Sequence, residues 1–489
     1  MANGLSKSLL LKGLQCPKAL WLSKNPPDFP LPEDPAKQAR YIAGTEVGLL
    51  AQQLFPGGTE VPYAGLTIPQ QIARTQELIA AGAEVIYEAS FEYDSLFVKA
   101  DILVRRGAAW EIYEVKSSTE VKDVYLDDVA IQHYVLQHAG LPVTELLLVH
   151  IDNSYVRQGD IDVQRLFAIQ DVTDKALALQ VDLPAVIERL RATLAESIEP
   201  DIDIGLRCSD PYDCDFIPYC WRHIPEDSVF DLSGFKKDKF ALYYDGYVDI
   251  ADVPRERLKD KQRFEAEATI KHLGHIDERE VSAFLETLRY PLCHLDFETF
   301  NSAIPLYDNI RPYQQIPFQY SLHLQTSPDA EIEHRAYLAG PNYDPRRELA
   351  DRLLADIPAG ACVLTYNQSF EIGVLKQLAG LFPDLAAELE ALIVNVRDLM
   401  VPFRSRAVYR WPMKGSYSIK QVLPAMVPEL SYAGLAIADG TAAMRAYREM
   451  CVTPDAWRLE EIRRDLLEYC RLDTWAMVRI LEELQKAPA

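Results

Sequence analysis

Apolar and polar positions along the chain alternate between two periods. Residues 5–23 carry apolar positions at helical spacing, and 38–54 and 68–82 repeat the pattern after the proline-rich break Pro26-Pro27-Asp28-Phe29-Pro30-Leu31-Pro32. The period then shortens. Residues 91–93, 96–104 and 111–117 are short alternating or apolar runs with Arg106-Gly107-Ala108 as a turn, which predicts strands. A helix is expected over 126–139, an apolar strand over 145–151 and helices over 173–198. A second round predicts strands at 292–299, 316–326, 331–338 and 361–366, then helices at 369–380 and 458–486. Between the rounds, 226–285 is rich in charge, with Lys236-Lys237-Asp238-Lys239 and Arg255-Glu256-Arg257-Leu258-Lys259-Asp260-Lys261, and reads as a solvated helical connector. The expectation is an α/β protein of two domains, 1–225 and 288–489, joined through 226–287.

Composition narrows this picture. A chain of 489 residues exceeds one ordinary core, and its apolar and charged fractions are those of a globular protein. No apolar run is long enough to span a bilayer, and Leu9-Leu10-Leu11-Lys12 is too short and too soon charged for a signal peptide, so no membrane partner is expected and the location reads as cytoplasmic. In a reducing compartment clustered cysteines favour metal binding or catalysis over disulfides. Cys293, Cys362, Cys451 and Cys470 stand singly among apolar neighbours and read as small buried hydrophobes. The net charge of −23 argues against indiscriminate nucleic-acid binding, because most of the surface repels a polyanion; a focused basic groove stays compatible with it.

Three groups of residues carry candidate chemistry. In Trp110-Glu111-Ile112-Tyr113-Glu114-Val115-Lys116, Glu114 and Lys116 leave one face of a strand, and Asp101 lies on the strand before it. Two carboxylates can hold Mg²⁺ or Mn²⁺, and the ammonium can orient water or stabilise charge on phosphate; a salt-bridged strand face is the plainer reading of the same pattern. Cys16 and the run Cys208, Cys214, Cys220 supply four thiolates, enough for a 4Fe–4S cluster or for tetrahedral zinc. Sulfur softness excludes Mg²⁺ and Ca²⁺ and does not separate iron from zinc.

The third group lies in the second half. Leu292-Cys293-His294-Leu295-Asp296-Phe297-Glu298-Thr299 is an apolar strand interrupted by two acids on one face, which a shared cation would explain. Tyr469 and Asp473 share a face of the last helix, and Glu371 falls in the first turn of the helix after Val363-Leu364-Thr365-Tyr366-Asn367. Residues 397–420 concentrate Arg404, Arg406, Arg410, Lys414 and Lys420 among Phe403, Tyr409, Trp411 and Tyr417. Cations for phosphates and rings for unpaired bases suit a single strand, whereas the bland alternative is a charged loop with partly buried aromatics.

Taken in order, Asp101, Glu114-Val115-Lys116 and a helix carrying Gln132 resemble the PD-(D/E)XK nucleases of the RecB type, of restriction-endonuclease-like fold. Leu11-Lys12-Gly13-Leu14-Gln15-Cys16-Pro17-Lys18 with Cys208, Cys214 and Cys220 resembles their iron–sulfur branch, which includes the CRISPR-associated RecB-like and AddB nuclease domains. That resemblance implies Mg²⁺ or Mn²⁺ on Asp101 and Glu114, catalytic roles for Lys116 and Gln132, and a structural 4Fe–4S cluster. Gly48 stands where those families often carry a metal-binding histidine. The second half, with Asp296-X-Glu298, Asn367-X-X-Phe370-Glu371 and Tyr469-X-X-X-Asp473, resembles the RNase-H-like DEDD 3′-to-5′ exonucleases, and the whole chain a bacterial fusion of a RecB-like nuclease to a YprB-type exonuclease domain. The resemblance implies two divalent ions on Asp296, Glu298, Glu371 and Asp473, with Tyr469 positioning water. The expected activity is exonucleolytic hydrolysis of single strands, DNA favoured over RNA. No Gly-x-x-x-x-Gly-Lys-Ser/Thr loop is present, so unwinding of a duplex would call for a helicase or other repair or defence partner. The rival expectations are a nucleic-acid binding or assembly protein on nuclease folds, and a zinc-stapled enzyme of other chemistry.

Overall fold

The computed structural model describes residues 5–32 and 34–486. They form two compact units: unit 1 runs up to His223 and includes Ser302–Tyr313, and unit 2 holds Ile224–Asn301 and the residues from Gln314 onward. Both are α/β with mixed sheets. Among the described residues no helix is long and apolar enough to cross a membrane.

Unit 1 opens with α1 (Lys7–Gln15) and α2 (Pro17–Lys24) rather than one continuous helix. Cys16 is extended, at φ −157°, because the ring of Pro17 disfavours a helical residue before it. Helices α3 (Pro35–Ala51) and α4 (Ile68–Ala80) lead to the strands β1 (Val85–Tyr93), β2 (Leu96–Arg106) and β3 (Ala109–Lys116). Then come α5 (Asp123–His138), β4 (Val143–Ile151), β5 (Phe167–Asp171) and α6 (Leu183–Ala195). The sheet runs β1-β2-β3-β4-β5, with two short strands at Leu5–Ser6 and Thr59–Glu60 added to β2 and β1. β1, β2 and β3 are antiparallel, whereas β3 and β4 are parallel, joined by α5 as a crossover connection requires. Alternation sorts the core. Leu103, Ile112, Leu146 and Leu148 pack on one face with residues of α1, α4, α5 and α6; Ile102, Val104, Tyr113, Leu147 and Val149 pack on the other with α3 and the 302–313 segment.

Unit 2 contains α7 (Lys236–Tyr244) and α8 (Asp260–Lys271), then β6 (Leu292–Phe300), β7 (Ile316–Gln325) and β8 (Glu333–Leu338). They are followed by α9 (Arg346–Asp356), β9 (Cys362–Thr365), α10 (Gln368–Leu381) and β10 (Val396–Asp398), with α11 (Ile419–Met426), α12 (Gly440–Val452) and α13 (Ala456–Gln485) completing the unit. The sheet order is β8-β7-β6-β9-β10; the first three strands are antiparallel and the last three parallel, so β6 is the central strand. The 30 residues of α13 bury Ile462, Leu466, Tyr469, Cys470, Asp473, Met477, Ile480 and Leu484, a helical stripe into which two polar residues intrude.

The segment 226–287 is more than a solvated connector. Val229, Leu232, Leu242, Ile250, Val253, Leu258 and Ala266 form an apolar cluster beneath its charged exterior. Its acids are also used inside: Glu265 is 1 % exposed and accepts a hydrogen bond from Ser233 N at 2.8 Å.

Candidate functional site

In unit 2 the pleat of β6 sends Asp296 and Glu298 to the same face, and α13 brings Asp473 to them. One oxygen from each of Asp296, Glu298 and Asp473 lies within 4.8 Å of the other two. Cys470, one helical turn before Thr474 on α13, donates its thiol to Asp296 Oδ2 at 3.8 Å. Tyr432 donates to Asp473 Oδ1 at 2.6 Å, and the Tyr469 hydroxyl acts electrostatically on the same carboxyl. Glu371, in the first turn of α10, is 1 % exposed, and its Oε2 has no hydrogen-bond partner.

Electrostatics state what this arrangement lacks. Burial and the charges of Asp473, Glu298 and Glu371 push Asp296 well above the ordinary carboxylate range. Burial, then Asp473, does the same to Glu298, against which Lys420 acts. Burial raises Glu371 to about 8, with the Asp398 charge adding to it. Asp473 is raised to about 6 by burial and restrained by the Tyr432 hydroxyl, the Lys420 ammonium and the Tyr469 hydroxyl. Lys420 itself donates to Ala438 O at 2.8 Å. Three buried acids and the half-buried Asp296 thus meet one ammonium, which acts on Glu298 and Asp473. A hard divalent cation with oxygen ligands fits the set of Asp296, Glu298 and Asp473, while Glu371 lies outside that 4.8 Å group with its Oε2 unpartnered.

Unit 1 assembles a different centre. Asp101, Glu114, Lys116 and Gln132 lie in one buried polar network, which two residues absent from the sequence reading, Lys7 and Asp128, complete. Lys116 Nζ meets Glu114 Oε1 at 2.7 Å and Asp128 Oδ2 at 2.5 Å. Lys7 Nζ, at the start of α1, meets Glu114 Oε1 at 3.0 Å and Asp128 Oδ1 at 2.7 Å. Gln132 Nε2 donates to Glu114 Oε2 at 2.7 Å and Asp128 Oδ1 at 3.1 Å, and Val115 N donates to Asp101 Oδ2 at 2.7 Å. Burial, then Asp101 and Asp128, raises Glu114 to about 7. Burial pushes Asp128 up, but the Lys116 and Lys7 ammoniums more than offset it and hold the carboxyl well below its usual range. Here two lysines already answer three acids. At Gly48 an added Cβ would meet nothing within 4 Å.

The four cysteines, from the α1–α2 break and the 208–220 loop, line one cavity with Lys18, Ala19 and Phe216. Burial, a Phe216 backbone donor that opposes it, and the other three sulfurs together leave the Cys214 thiol pushed up to about 11. Cys208 Sγ accepts from Gly205 N at 3.4 Å. Four thiols around one cavity are the donor type of a thiolate-bound metal or cluster, while no three of the sulfurs lie within 4.8 Å of one another as a single tetrahedral ion would draw them.

The basic segment is divided by the fold. Arg406 pairs with Glu265 at 2.5 Å, and that ion pair is buried; the guanidinium also donates to Gly415 O at 2.6 Å. It therefore holds the fold and is not free for a phosphate, which corrects its sequence reading. Phe403 and Tyr409 are fully buried and offer no stacking surface. Arg410 donates to Ala425 O at 3.4 Å, Trp411 packs on His272 at 4.5 Å between ring centroids, and Lys414 faces Asp227 at 3.6 Å. Arg404, Tyr417 and Lys420 stay exposed.

Residues 293–418 match a family model described as a domain of unknown function, DUF2779. The matched span contains Asp296, Glu298 and Glu371 and stops before Tyr432, Tyr469 and Asp473. The chain is 28% identical over 211 residues to "Uncharacterized protein UU173" of Ureaplasma parvum, a match covering 38% of this chain and 30% of the relative. It is 25% identical over 215 residues to "Uncharacterized protein MG366" of Mycoplasma genitalium, covering 39% and 32%. The aligned part is thus about a third of the length of each relative.

Proposed function

We propose that the chain is a divalent-metal-dependent nuclease whose principal active site is the carboxylate cluster of unit 2, acting on single-stranded nucleic acid, DNA in preference to RNA, from the 3′ end. The observation that carries the reading is the convergence of Asp296, Glu298 and Asp473 oxygens within 4.8 Å, with a buried, unpartnered Glu371 oxygen close enough for its charge to act on Asp296. The sheet order, with β6 central between antiparallel and parallel neighbours, agrees with an RNase-H-like fold. Asp296, Glu298, Glu371 and Asp473 would hold Mg²⁺ or Mn²⁺, which supplies Lewis acidity toward water and the departing oxygen. The protein's own part is positional. Tyr432 fixes the Asp473 carboxylate, on which Tyr469 also acts, Cys470 donates to Asp296, and Lys420 sets a positive charge at the rim for a phosphate. Arg404 and Tyr417 remain available on the surface to a strand.

For unit 1 we propose the RecB-type, restriction-endonuclease-like fold, with the four cysteines binding a 4Fe–4S cluster or, as the alternative, zinc. A specific observation favours weak catalysis there: Lys7 and Lys116 already occupy the Glu114 and Asp128 oxygens. Binding rather than cleavage is the reading this favours for unit 1. The test is a panel of single- and double-stranded DNA and RNA, end-labelled, with Mg²⁺, Mn²⁺ or EDTA. Progressive shortening of 3′-ended single strands with metal is expected. No cleavage of any substrate with either ion would replace the nuclease reading with a nucleic-acid binding or assembly role.

A further inference from the structure

Helix α1 has one end in each of the two polar centres of unit 1. Its first residue, Lys7, meets Glu114 and Asp128. At its last turn the chain bends at Cys16, whose residue lines the cavity with Cys208, Cys214 and Cys220. Nine helical residues rise roughly 13 Å as a stiff rod, so a shift at one end is felt at the other. Two side chains tie this rod to the cysteine loop. Lys12 Nζ meets Asp215 Oδ2 at 2.9 Å, and Gln15 Nε2 donates to Arg207 O at 2.8 Å and Tyr212 O at 2.6 Å.

The loop also reaches the carboxylate centre by a second route. Tyr212, between Cys208 and Cys214, lies beside Tyr125 of α5, whose hydroxyl acts electrostatically on that of Tyr212. The Tyr125 ring lies 5.3 Å from the Lys116 ammonium, and the same helix carries Asp128 and Gln132. The cysteine loop is therefore joined to the centre twice, through Lys7 and through Tyr212. With the thiols protonated and uncoordinated, only these hydrogen bonds and apolar packing would hold Cys16 to the loop; a shared ion or cluster would fix all four sulfurs and, with them, both routes.

We propose that Lys7 and Tyr212 are positioning residues of the Glu114/Asp128/Lys116 centre, held in register by the iron–sulfur cluster or zinc ion on the four cysteines, so that filling or emptying the cysteine cavity reorganises that centre. The proposal rests on the reading that these cysteines bind a metal. It assigns the cysteine loop a part in the geometry of the site beyond closing the ends of the unit.

The test is amine footprinting of the full chain with a small acylating reagent, read by mass spectrometry, alongside iron, sulfide and zinc content after anaerobic preparation. In the loaded wild type, Lys7 and Lys116 should be protected while exposed Lys271 reacts. In Cys208→Ser with Cys214→Ser, Lys7 and Lys116 should react at least about tenfold faster through local opening, while Lys99, paired with Glu88 at 2.9 Å, keeps its wild-type rate. Unchanged protection of Lys7 and Lys116 overturns the proposal. Release of Lys99 as well means that the variant unfolds, and the decision then passes to a second arm with all four cysteines intact. There, coupling is reciprocal: Lys7→Met and Tyr212→Phe should each weaken Zn²⁺ retention by roughly fivefold or more in competition with a chromophoric chelator. Wild-type retention in both variants overturns the proposal. A wild-type protein without iron, sulfide or zinc defeats the metal reading and the proposal together, a result distinct from a loaded protein whose Lys7 ignores its cysteines.

Discussion

The Tyr432 hydroxyl donates to Asp473 Oδ1 at 2.6 Å, and both residues are buried. A loop tyrosine thus fixes the one carboxylate that α13 contributes to the cluster on β6. Second-layer donors of this kind typically change metal affinity or activity by about 10-fold or more when removed. Tyr432→Phe should weaken Mn²⁺ binding by roughly that factor while the protein stays folded, as isothermal titration would show. Unchanged affinity would deny the hydroxyl this role.

Repulsion among the unit 2 acids implies a stability signature. Asp296 is pushed up by burial and by three neighbouring carboxylates, so its ionised form works against the fold when no cation is present. Asp296→Asn should raise the melting temperature of unit 2 in EDTA by roughly 2–4 °C, the shift expected for about 1 kcal/mol in a domain of this size. The same substitution should abolish the upward shift that Mn²⁺ gives the wild type. A lower melting temperature in EDTA would show that Asp296 is a structural residue instead.

Arg406 offers a contrast between fold and binding. Removing it leaves Glu265 buried and unpaired, and losing one partner of a buried pair costs about 3–5 kcal/mol. Arg406→Ala should show this loss in urea unfolding. Arg404→Ala, at an exposed site, should stay within about 0.5 kcal/mol and lower the affinity for a single strand in fluorescence anisotropy.

Acid should weaken unit 2 through two facing histidines. His323 and His334 lie across β7 and β8 with ring centroids 4.6 Å apart; His323 pairs with Thr474 Oγ1 at 2.8 Å and His334 with Ser321 Oγ at 2.9 Å. Burial, then the charges of His334, His294 and Arg471, lowers His323 to about 3, and burial with Arg471 lowers His334. Because both values fall below that of an unfolded histidine, the unfolded chain takes up protons first. Their contribution is intact above pH ~6.5 and declines as pH falls, by about 1.4 kcal/mol per pH unit for each proton. Urea unfolding at pH 6.5, 5.5 and 4.5 should show a shallower decline for His323→Gln than for the wild type. Parallel slopes would exclude His323 as the group responsible.

Much of this arrangement was legible because it follows local periods. Asp296 and Glu298 interrupt an apolar strand at a spacing of two, and Tyr469 and Asp473 repeat at four on a long helix, so each pair declares a face. Other members leave no such mark. Asp128 follows Asp127 in the helix expected over 126–139, where nothing in the spacing tells which of the two acids points inward; Lys7 stands more than a hundred positions from Glu114. Tyr432 lies in a loop without periodicity. Arg406 carries no such mark either, because local charge density cannot reveal a buried partner 141 positions away. The 226–287 segment reads as a connector for a related reason: its charges dominate the count while its sparse apolar residues meet only in three dimensions.

The most direct measurement compares two double variants with the wild type on a 3′-accessible, end-labelled single strand in Mn²⁺. Asp296→Ala with Asp473→Ala should abolish shortening, whereas Asp101→Ala with Lys116→Ala should leave most of it. Full activity in the first variant together with loss in the second would contradict the account, and would place the nuclease centre in unit 1.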